Sequence, residues 1–351
     1  MNVLELYSGI GGMHLALKES GFEYNVVASI EINNVANSIY ELNFPNTVLY
    51  NLNIEGLTSE FINKLKVDTI LMSPPCQPFT RNGLQNDIND PRTASFIHVL
   101  KLLQDLEIKQ LLIENVKGFE KSEMRMLLVD TLSKNGFNYQ EFIISPHQIG
   151  VPNTRHRYYC LAKKSPGFSF KVGPLREGLP AEHEIQECFT IENILEQSIE
   201  EHYFLSDKIL QKYHGLLDIC YKNSKRSCCF TKAYGRFIEG TGSVFTDKNE
   251  SEVTEILNKI KTQLSEDVKL QLLKSLSLRF FTPREVCRLM CFPDRFIFPE
   301  YVGNRKKYMV LGNSINIKVV SELIKLLNSY KIVLILIKTL TFVRGKNPEM
   351  K

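Results

Sequence analysis

The first 165 residues alternate short apolar runs with helically spaced ones, and this alternation restricts the possible folds more than any other feature. "NVLELY" precedes "MHLALKES", "VVASIEI" precedes "NVANSIYELN", "DTILMS" precedes "SFIHVLKLLQDL" and "QLLIENV" precedes "EMRMLLVDTLSKNG"; "QEFIISP" and "RYYCLAKK" close the series. Strands that take turns with helices predict βαβ units and an α/β fold built on a mostly parallel sheet with helices on both faces. Sheets of this kind bind ligands at the carboxyl ends of their strands. From about residue 166 a stretch rich in glycine and proline, "KSPGFSFKVGPLREGLP", breaks the pattern, and the next hundred residues lack regular alternation. Patterning returns near 278, where "TPREVCRLM" predicts a helix with Thr282 as its N-cap and proline at its first position. "NIKVVSELIKLLNSY" has apolar residues at helical spacing. The expected organisation is 1–165, a smaller inserted domain at 166–277, and a return to the first domain at 278–351.

The expected strand ends carry the candidate chemistry. "LELYSGIGGMH" sets Gly9, Gly11 and Gly12 between a strand and a helix, where the backbone can turn tightly and offer free amides to a ligand. Glu31, 22 residues past Gly9, ends the second strand and can take both hydroxyls of a ribose. His14 stands where a dinucleotide fingerprint has its third glycine, so the motif suits an adenosine-type cofactor more than NAD, and a plain tight turn would read the same way. "SPPCQPFT" holds Cys76 among three prolines that stiffen the loop; the thiol is either incidental or a nucleophile. "LLIENVKGF" ends a strand with Glu114 and Asn115, a solvated end or an acid facing the same crevice. In "GVPNTRHRYYCLA", Arg155 and Arg157 occupy alternate positions entering a strand, so both side chains are expected on one face, for a carboxylate or carbonyl oxygen or for surface ion pairs. A Cys–His hydrolase would need a histidine at such a strand end, and His98 lies inside a helical pattern instead.

The remaining composition sets limits. A net charge of +4 permits an anionic partner without requiring one. Eight cysteines show no framework spacing, and neither Cys228 with Cys229 nor Cys287 with Cys291 has the spacing of a zinc knuckle, so no metal is expected. "MNVLELY" does not read as a secretory signal, which predicts free thiols in a reducing compartment. The apolar stretch "IVLILIKTLTFV" (332–343) is too short for a helical membrane span and is interrupted by Lys338.

Taken in order, "ELYSGIGG", "IEI", "SPPCQPF", "ENVKGF", "NTRHR", "FFTPREVCRLMCFP" and "LGNSIN" resemble the cytosine carbon-5 methyltransferases, from residue 3 to about 327. Within that superfamily the stretch "CCFTKAYGRFIEGTGSV" (228–244) resembles the tRNA-aspartate cytosine methyltransferase family, the animal DNA-methyltransferase-homologue type. The resemblance implies a Rossmann-like catalytic domain with an inserted target-recognition domain, and S-adenosylmethionine as methyl donor, leaving S-adenosylhomocysteine. It implies that Cys76 attacks carbon 6 of cytosine, that protonated Glu114 steadies ring nitrogen 3, and that Arg155 and Arg157 hold the base oxygen and orient the acid. The matching donor positions are Ile10, Gly11, Gly12, Glu31, Asn53, Ile54, Ser73, Asn313 and Ser314. Asn153 and Asn53 depart from the glutamine and aspartate often found at their places, and Asn53 puts in doubt a carboxylate contact to the adenine amine.

The substrate expectation rests on "YKNSKRSCCFTKAYGRF" (221–237), which interleaves five cations with Tyr221, Phe230, Tyr234 and Phe237 and so suits phosphates and unstacked bases. Lys232, Arg236, Cys229 and Thr231 are the expected substrate contacts. The expected partner is tRNA, methylated at an anticodon-loop cytosine by a monomer of the cytoplasm, also present in the nucleus, with weak action on DNA and no membrane association. A DNA cytosine methyltransferase and a nucleic-acid-binding protein with a dead site are the alternatives. The polar segment 81–92, just past Cys76, is expected to be mobile and to close over the base.

Overall fold

Alternate residues of each apolar run face opposite sides, and this builds two cores on one sheet. The structure, a computed structural model, describes residues 1–79, 87–180 and 187–329. Seven strands form the sheet: β1 (Asn2–Leu6), β2 (Asn25–Ile30), β3 (Leu49–Tyr50), β4 (Thr69–Met72), β5 (Gln110–Val116), β6 (Asn138–Ile144) and β7 (Arg157–Lys163). Their order is β3-β2-β1-β4-β5-β7-β6. Pairs from β3 through to β5 are parallel, whereas β7 runs antiparallel to both its neighbours. The beginning of β7 therefore lies level with the carboxyl end of β5, with Val116 opposite Arg157.

Val3, Leu71, Leu112 and Leu161 point into one core, and Leu4, Ile70, Leu111 and Cys160 into the other. Helices α1 (Gly12–Ser20) and α2 (Asn34–Asn43) cover the first face; α3 (Ser59–Lys64), α4 (Ala94–Leu102) and α5 (Glu123–Lys134) cover the second. The strand order reverses direction between β1 and β4, which opens a crevice at their carboxyl ends.

The segment after β7 carries α6 (Asp207–Tyr213), β8 (Ile219–Cys220), β9 (Val244–Phe245), α7 (Glu250–Thr262), α8 (Glu266–Ser275) and β10 (Arg279–Phe280), with the three strands in the order β10-β9-β8. Leu205, Val244, Val253 and Leu273 make a small core of their own there. Phe230, Tyr234 and Phe245 instead join the first core. The chain then returns through α9 (Pro283–Leu289), α10 (Asn304–Asn313) and α11 (Ile317–Asn328), and α11 packs along α1. Thr282 caps α9 as the sequence predicts: its hydroxyl accepts from the Glu285 amide at 3.1 Å. Glu285 also forms a buried pair with Arg279 at 2.8 Å, tying β10 to α9.

Two expectations fall wholly or partly outside the described residues. The apolar run 332–343 lies outside them, as does 81–86 within the expected lid. The other half of that lid, 87–92, is hydrogen-bonded to the start of α5 and within itself. Asp87 accepts from the amides of Glu123 and Met124 at the start of α5, at 2.7 and 3.1 Å. Asp90 and Arg92 form a two-bond pair at 2.6 and 2.8 Å.

Candidate active site

One crevice, about 380 Å³ in volume, runs across the carboxyl ends of β1, β2, β4 and β5 and is closed on the far side by the α10–α11 junction. That volume lies within the usual range for small-molecule sites. Its glycine-loop end is built by backbone geometry. Tyr7, Gly9 and Gly11 all have positive φ, and the Gly11 amide donates to the Ser8 carbonyl at 2.9 Å. A side chain on Gly12 would meet Ile315 Cγ1 at 2.7 Å, so glycine there lets the α10–α11 junction close on the loop. Gly11 does not line the crevice; its α-carbon is turned against the ring of Phe44 on the other side of the wall.

Glu31 is held rigidly. Oε2 accepts from the Gly9 amide at 3.0 Å, and Oε1 accepts from the amides of Ile32 and Asn33 at 2.8 Å each. A carboxylate has about four acceptor positions, so one remains for a ligand hydroxyl. Ile10, Gly12, Asn53, Ile54, Ser73, Asn313 and Ser314 line the same space, as expected. The Asn53 side chain accepts from the Glu55 amide at 3.1 Å and caps a short turn.

Glu5 also lines this space and was not among the expected residues. It is buried, and its Oε1 has no hydrogen-bond partner among the described residues. Burial pushes its carboxyl up to about 8, against hydrogen bonds from Tyr40 and the His14 backbone that favour the charged form. The sequence signal for Glu5 is a charged residue within an otherwise apolar central strand.

At the other end Cys76, Glu114 and Arg157 come together. Asn115 donates to the Pro74 carbonyl at 3.4 Å and so ties the proline loop to β5. A Cβ on Gly118 would press on the Phe79 carbonyl at 3.1 Å, which shows how closely that loop seats. Arg157 Nε lies 3.5 Å from Glu114 Oε1, both residues largely removed from solvent. Burial raises the Glu114 carboxyl, and Arg157, Arg155 and a Ser73 hydrogen bond pull it back only in part. Burial likewise raises the Cys76 thiol, and the Glu114 charge adds to that; Arg157, Arg155 and Lys232 oppose it. The thiol and the acid are thus coupled: a proton on Glu114 removes one of the charges that keeps Cys76 protonated. Arg92 lines the crevice too and acts electrostatically on Cys76.

Arg155 acts on Glu114 electrostatically and makes no direct contact with it among the described residues. It precedes β7, and its guanidinium is buried against backbone. It donates to the Phe230 carbonyl at 3.0 Å, to that of Gly312 at 2.9 Å and to that of Ser314, with Cys229 Sγ at 3.4 Å. A guanidinium with five donors satisfies carbonyls that two converging segments leave unpaired, so it clamps segment 229–230 to the end of α10. The expectation that Arg155 and Arg157 share one face therefore holds for the crevice wall, but not for the contact to Glu114.

The four expected substrate contacts do not line the crevice. Cys229 is packed on Arg155 and Arg157; burial raises its thiol, and the two guanidiniums more than offset this, so it ends below the usual thiol range. Thr231 and Lys232 rest their backbone on Gly312, where no side chain would fit. The reading of 221–237 as a free basic and aromatic surface needs correction. Phe230 and Tyr234 are core residues. Lys222 pairs with Asp247 at 3.0 Å, Arg226 with Asp218 at 2.6 Å, and Lys225 with Glu187. Exposed Phe237 lies under Arg236 at 4.9 Å, and among the described residues neither Arg236 nor Lys232 has a carboxylate partner. Among the described residues no cluster of metal-ligating side chains occurs, and no helix is long and apolar enough to cross a membrane.

Comparison with known proteins agrees with this arrangement. The family described as C-5 cytosine-specific DNA methylase matches residues 1–329. A Spodoptera frugiperda protein named tRNA (cytosine(38)-C(5))-methyltransferase is 48% identical, over 93% of this chain and 98% of its own. A Bos taurus protein of the same name is 42% identical, over 93% of this chain and 99% of its own. The crystal structure of a Spodoptera frugiperda DNMT2 mutant superposes with a TM-score of 0.86 at 47% identity, covering 93% of this chain and 99% of that one. A sheet that brings a cysteine, an acid and an arginine to one end of a crevice and a glycine loop to the other, in a chain matched over this length, belongs to the C-5 cytosine methyltransferase family, enzymes that methylate carbon 5 of cytosine.

Proposed function

We propose that this enzyme methylates a cytosine in the anticodon loop of tRNA, tRNA-aspartate foremost, through a covalent bond between Cys76 and carbon 6 of the base. The observation that carries the chemistry is the meeting of Cys76, Glu114 and Arg157 at one end of the crevice. Carbon 5 of cytosine is a poor nucleophile until a thiolate adds to carbon 6 and turns the ring into an enamine. Addition pushes electrons toward ring nitrogen 3. Glu114, pushed toward its neutral form by burial, offers a proton there, and Arg157 fixes the carboxyl and faces the base oxygen. Once carbon 5 carries the methyl group, its proton passes to water, the electrons return to the ring, the Cys76 thiolate is expelled, and the proton on nitrogen 3 goes back to Glu114. A protonated Glu114 removes the carboxylate charge that opposes the Cys76 thiolate and leaves Arg157, Arg155 and Lys232 to favour it.

The glycine-loop end fits S-adenosylmethionine. Glu31 has an acceptor position left for ribose hydroxyls, and the orphaned Glu5 oxygen suits a cationic amine. When bound, this donor supplies an electrophilic methyl group. Ile10, Gly12, Asn53, Ile54, Ser73, Asn313 and Ser314 would hold it, with Gly11 shaping the turn.

The relatives' names favour tRNA. A loop base also costs less to extrude than a paired one. Lys232, Arg236 and Phe237 are the groups of 221–237 left to meet RNA, with Cys229 and Thr231 positioned behind them. We assign 166–277 as the target-recognition domain between the catalytic parts 1–165 and 278–351, and we place the enzyme, as a monomer, in cytoplasm and nucleus. The matching family is described by DNA methylation, and a DNA substrate is the second reading. Labelled methyl transfer to tRNA and to duplex DNA, run in parallel at equal concentration, separates the two. Faster transfer to tRNA supports the proposal; faster transfer to duplex DNA overturns it.

A further inference from the structure

Helix α4 and the turn before it touch both ends of the crevice. The turn Pro91–Thr93 runs directly into α4, and Asp90 caps that turn by accepting from the Arg92 amide at 3.0 Å. The Thr93 hydroxyl donates to the carbonyls of Asp90 and Ile88 at 2.6 and 3.0 Å, so residues 88–93 and the start of α4 form one hydrogen-bonded piece. Phe96, Val99 and Leu100 anchor α4 in the second core. Beside that apolar face, Arg92, Ser95 and His98 follow one another at intervals of three, the spacing of neighbours on a helix surface. Arg92 lines the crevice and acts on Cys76, at the end where the base reacts. Ser95 and His98 reach the glycine-loop end.

Ser95 accepts from the Tyr7 hydroxyl at 3.0 Å. Tyr7 is the first residue past β1 and has a left-handed backbone, φ 54°, which a bulky side chain seldom adopts and which persists only where the surroundings hold it. His98 Nε2 lies 2.7 Å from the Leu57 carbonyl; a carbonyl only accepts, so Nε2 carries a hydrogen. Leu57 ends the short turn Ile54–Gly56, and Asn53, Ile54 and Glu55 line the crevice there. The apolar side chains already anchor α4, and these two bonds hold the loops to it. Each joins one wall of the glycine-loop end to the helix that continues from Arg92.

We propose that Ser95 and His98 are positioning residues through which nucleic acid at one end of the crevice and methyl donor at the other favour each other's binding. This rests on reading the glycine-loop end as the donor pocket and the Cys76 end as the base site. A nucleic acid that engages Arg92 restrains the first turn of α4. Ser95 and His98 pass that restraint to Tyr7 and Leu57, whose loops wall the donor pocket. Donor held between those loops restrains α4 in return, and the linkage is reciprocal.

The test is calorimetric titration of the full chain with S-adenosylhomocysteine, alone and with a saturating tRNA-aspartate transcript, after tRNA binding has been measured directly. The wild type should bind S-adenosylhomocysteine about fivefold tighter with the tRNA present. Ser95→Ala and His98→Phe should each bring that ratio below about twofold. His98→Gln, whose amide nitrogen can donate to the Leu57 carbonyl, should restore it. Lys101→Ala, on the exposed side of α4, should keep the wild-type ratio. Ser95→Ala removes a single oxygen, so it decides the matter if His98→Phe does not fold. Donor affinity that falls equally with and without tRNA would make the two residues structural supports only and overturn the proposal. A wild type that binds both ligands without coupling, or a ratio unmoved by either substitution, would overturn it too. A chain that binds tRNA but no S-adenosylhomocysteine would fault the reading of the donor pocket, and one that binds S-adenosylhomocysteine but no tRNA the reading of the substrate; either takes the coupling with it.

Discussion

The crevice and the segment 221–237 beside it both carry charged and aromatic residues, yet their charges are held in opposite ways. Around the crevice they are buried and under-satisfied: Glu5 keeps an orphaned oxygen, and Cys76 and Glu114 are both shifted toward their neutral forms. In 221–237 most of the charges are at the surface and paired, and half of the aromatic residues are in the core. Under-satisfied buried groups cost stability, and a fold retains them where a ligand will complete them. Satisfied groups cost little and do little. The difference separates machinery from scaffold more sharply than residue type does.

The largest test of that contrast is Cys76→Ala. It should abolish methyl transfer and leave donor binding near the wild-type value, because the thiol meets the base. Turnover by the purified variant would reject the covalent step, and a carbon-5-fluorinated cytosine in RNA should trap an adduct with the wild type alone. Glu114→Gln comes next, with a loss of about a hundredfold or more. Glu114 works protonated, and its carboxyl is raised, so wild-type activity should fall on the alkaline side as that proton is lost. The glutamine variant cannot lose it, and its residual rate should lack that component; an unchanged alkaline limb would assign it to another group.

Phe230→Ala should cost about 3–5 kcal/mol of stability, as for other buried phenylalanines, read by chemical denaturation. Phe237→Ala, at the exposed end of the same segment, should stay within about 0.5 kcal/mol and weaken RNA binding instead. Equal stability losses would erase the distinction between core and contact within 221–237. Replacing Lys232 and Arg236 together by alanine should lower RNA affinity and reduce the salt slope by about one to two, whereas the paired Lys222 and Lys225 should matter less. The smallest effect is expected at Glu5. Its folded-state carboxyl, raised to about 8 from an ordinary 4.5, stabilises the fold most at low pH, and that contribution is lost as pH rises through 8. Glu5→Gln should therefore raise the melting temperature more at pH 8 than at pH 5, with no donor present; a pH-independent gain would mean Glu5 does not titrate on unfolding.

The sequence by itself determined the sheet and its chemistry at the strand ends. Short apolar runs between helices leave one economical architecture, and Cys76, Glu114, Glu31 and the glycine loop sit where strands must stop, so their convergence follows from chain connectivity. Thr282 was legible for the same reason, because a cap is a local hydrogen bond. What only the tertiary structure decided is the fate of groups whose partners are distant in the chain. Arg155 looks like Arg157 until carbonyls at 230, 312 and 314 arrive around it. Phe230 and Phe237 look alike until one meets Phe281 in the core and the other does not. Glu5 is marked in the sequence only by its charge within an apolar strand, and its Oε1 is orphaned while Tyr40 donates to its Oε2. Local pattern fixes where a residue points; burial and satisfaction depend on distant segments, 159 residues away for Arg155 and Ser314, and these set whether a charge is spent on structure or kept for a ligand.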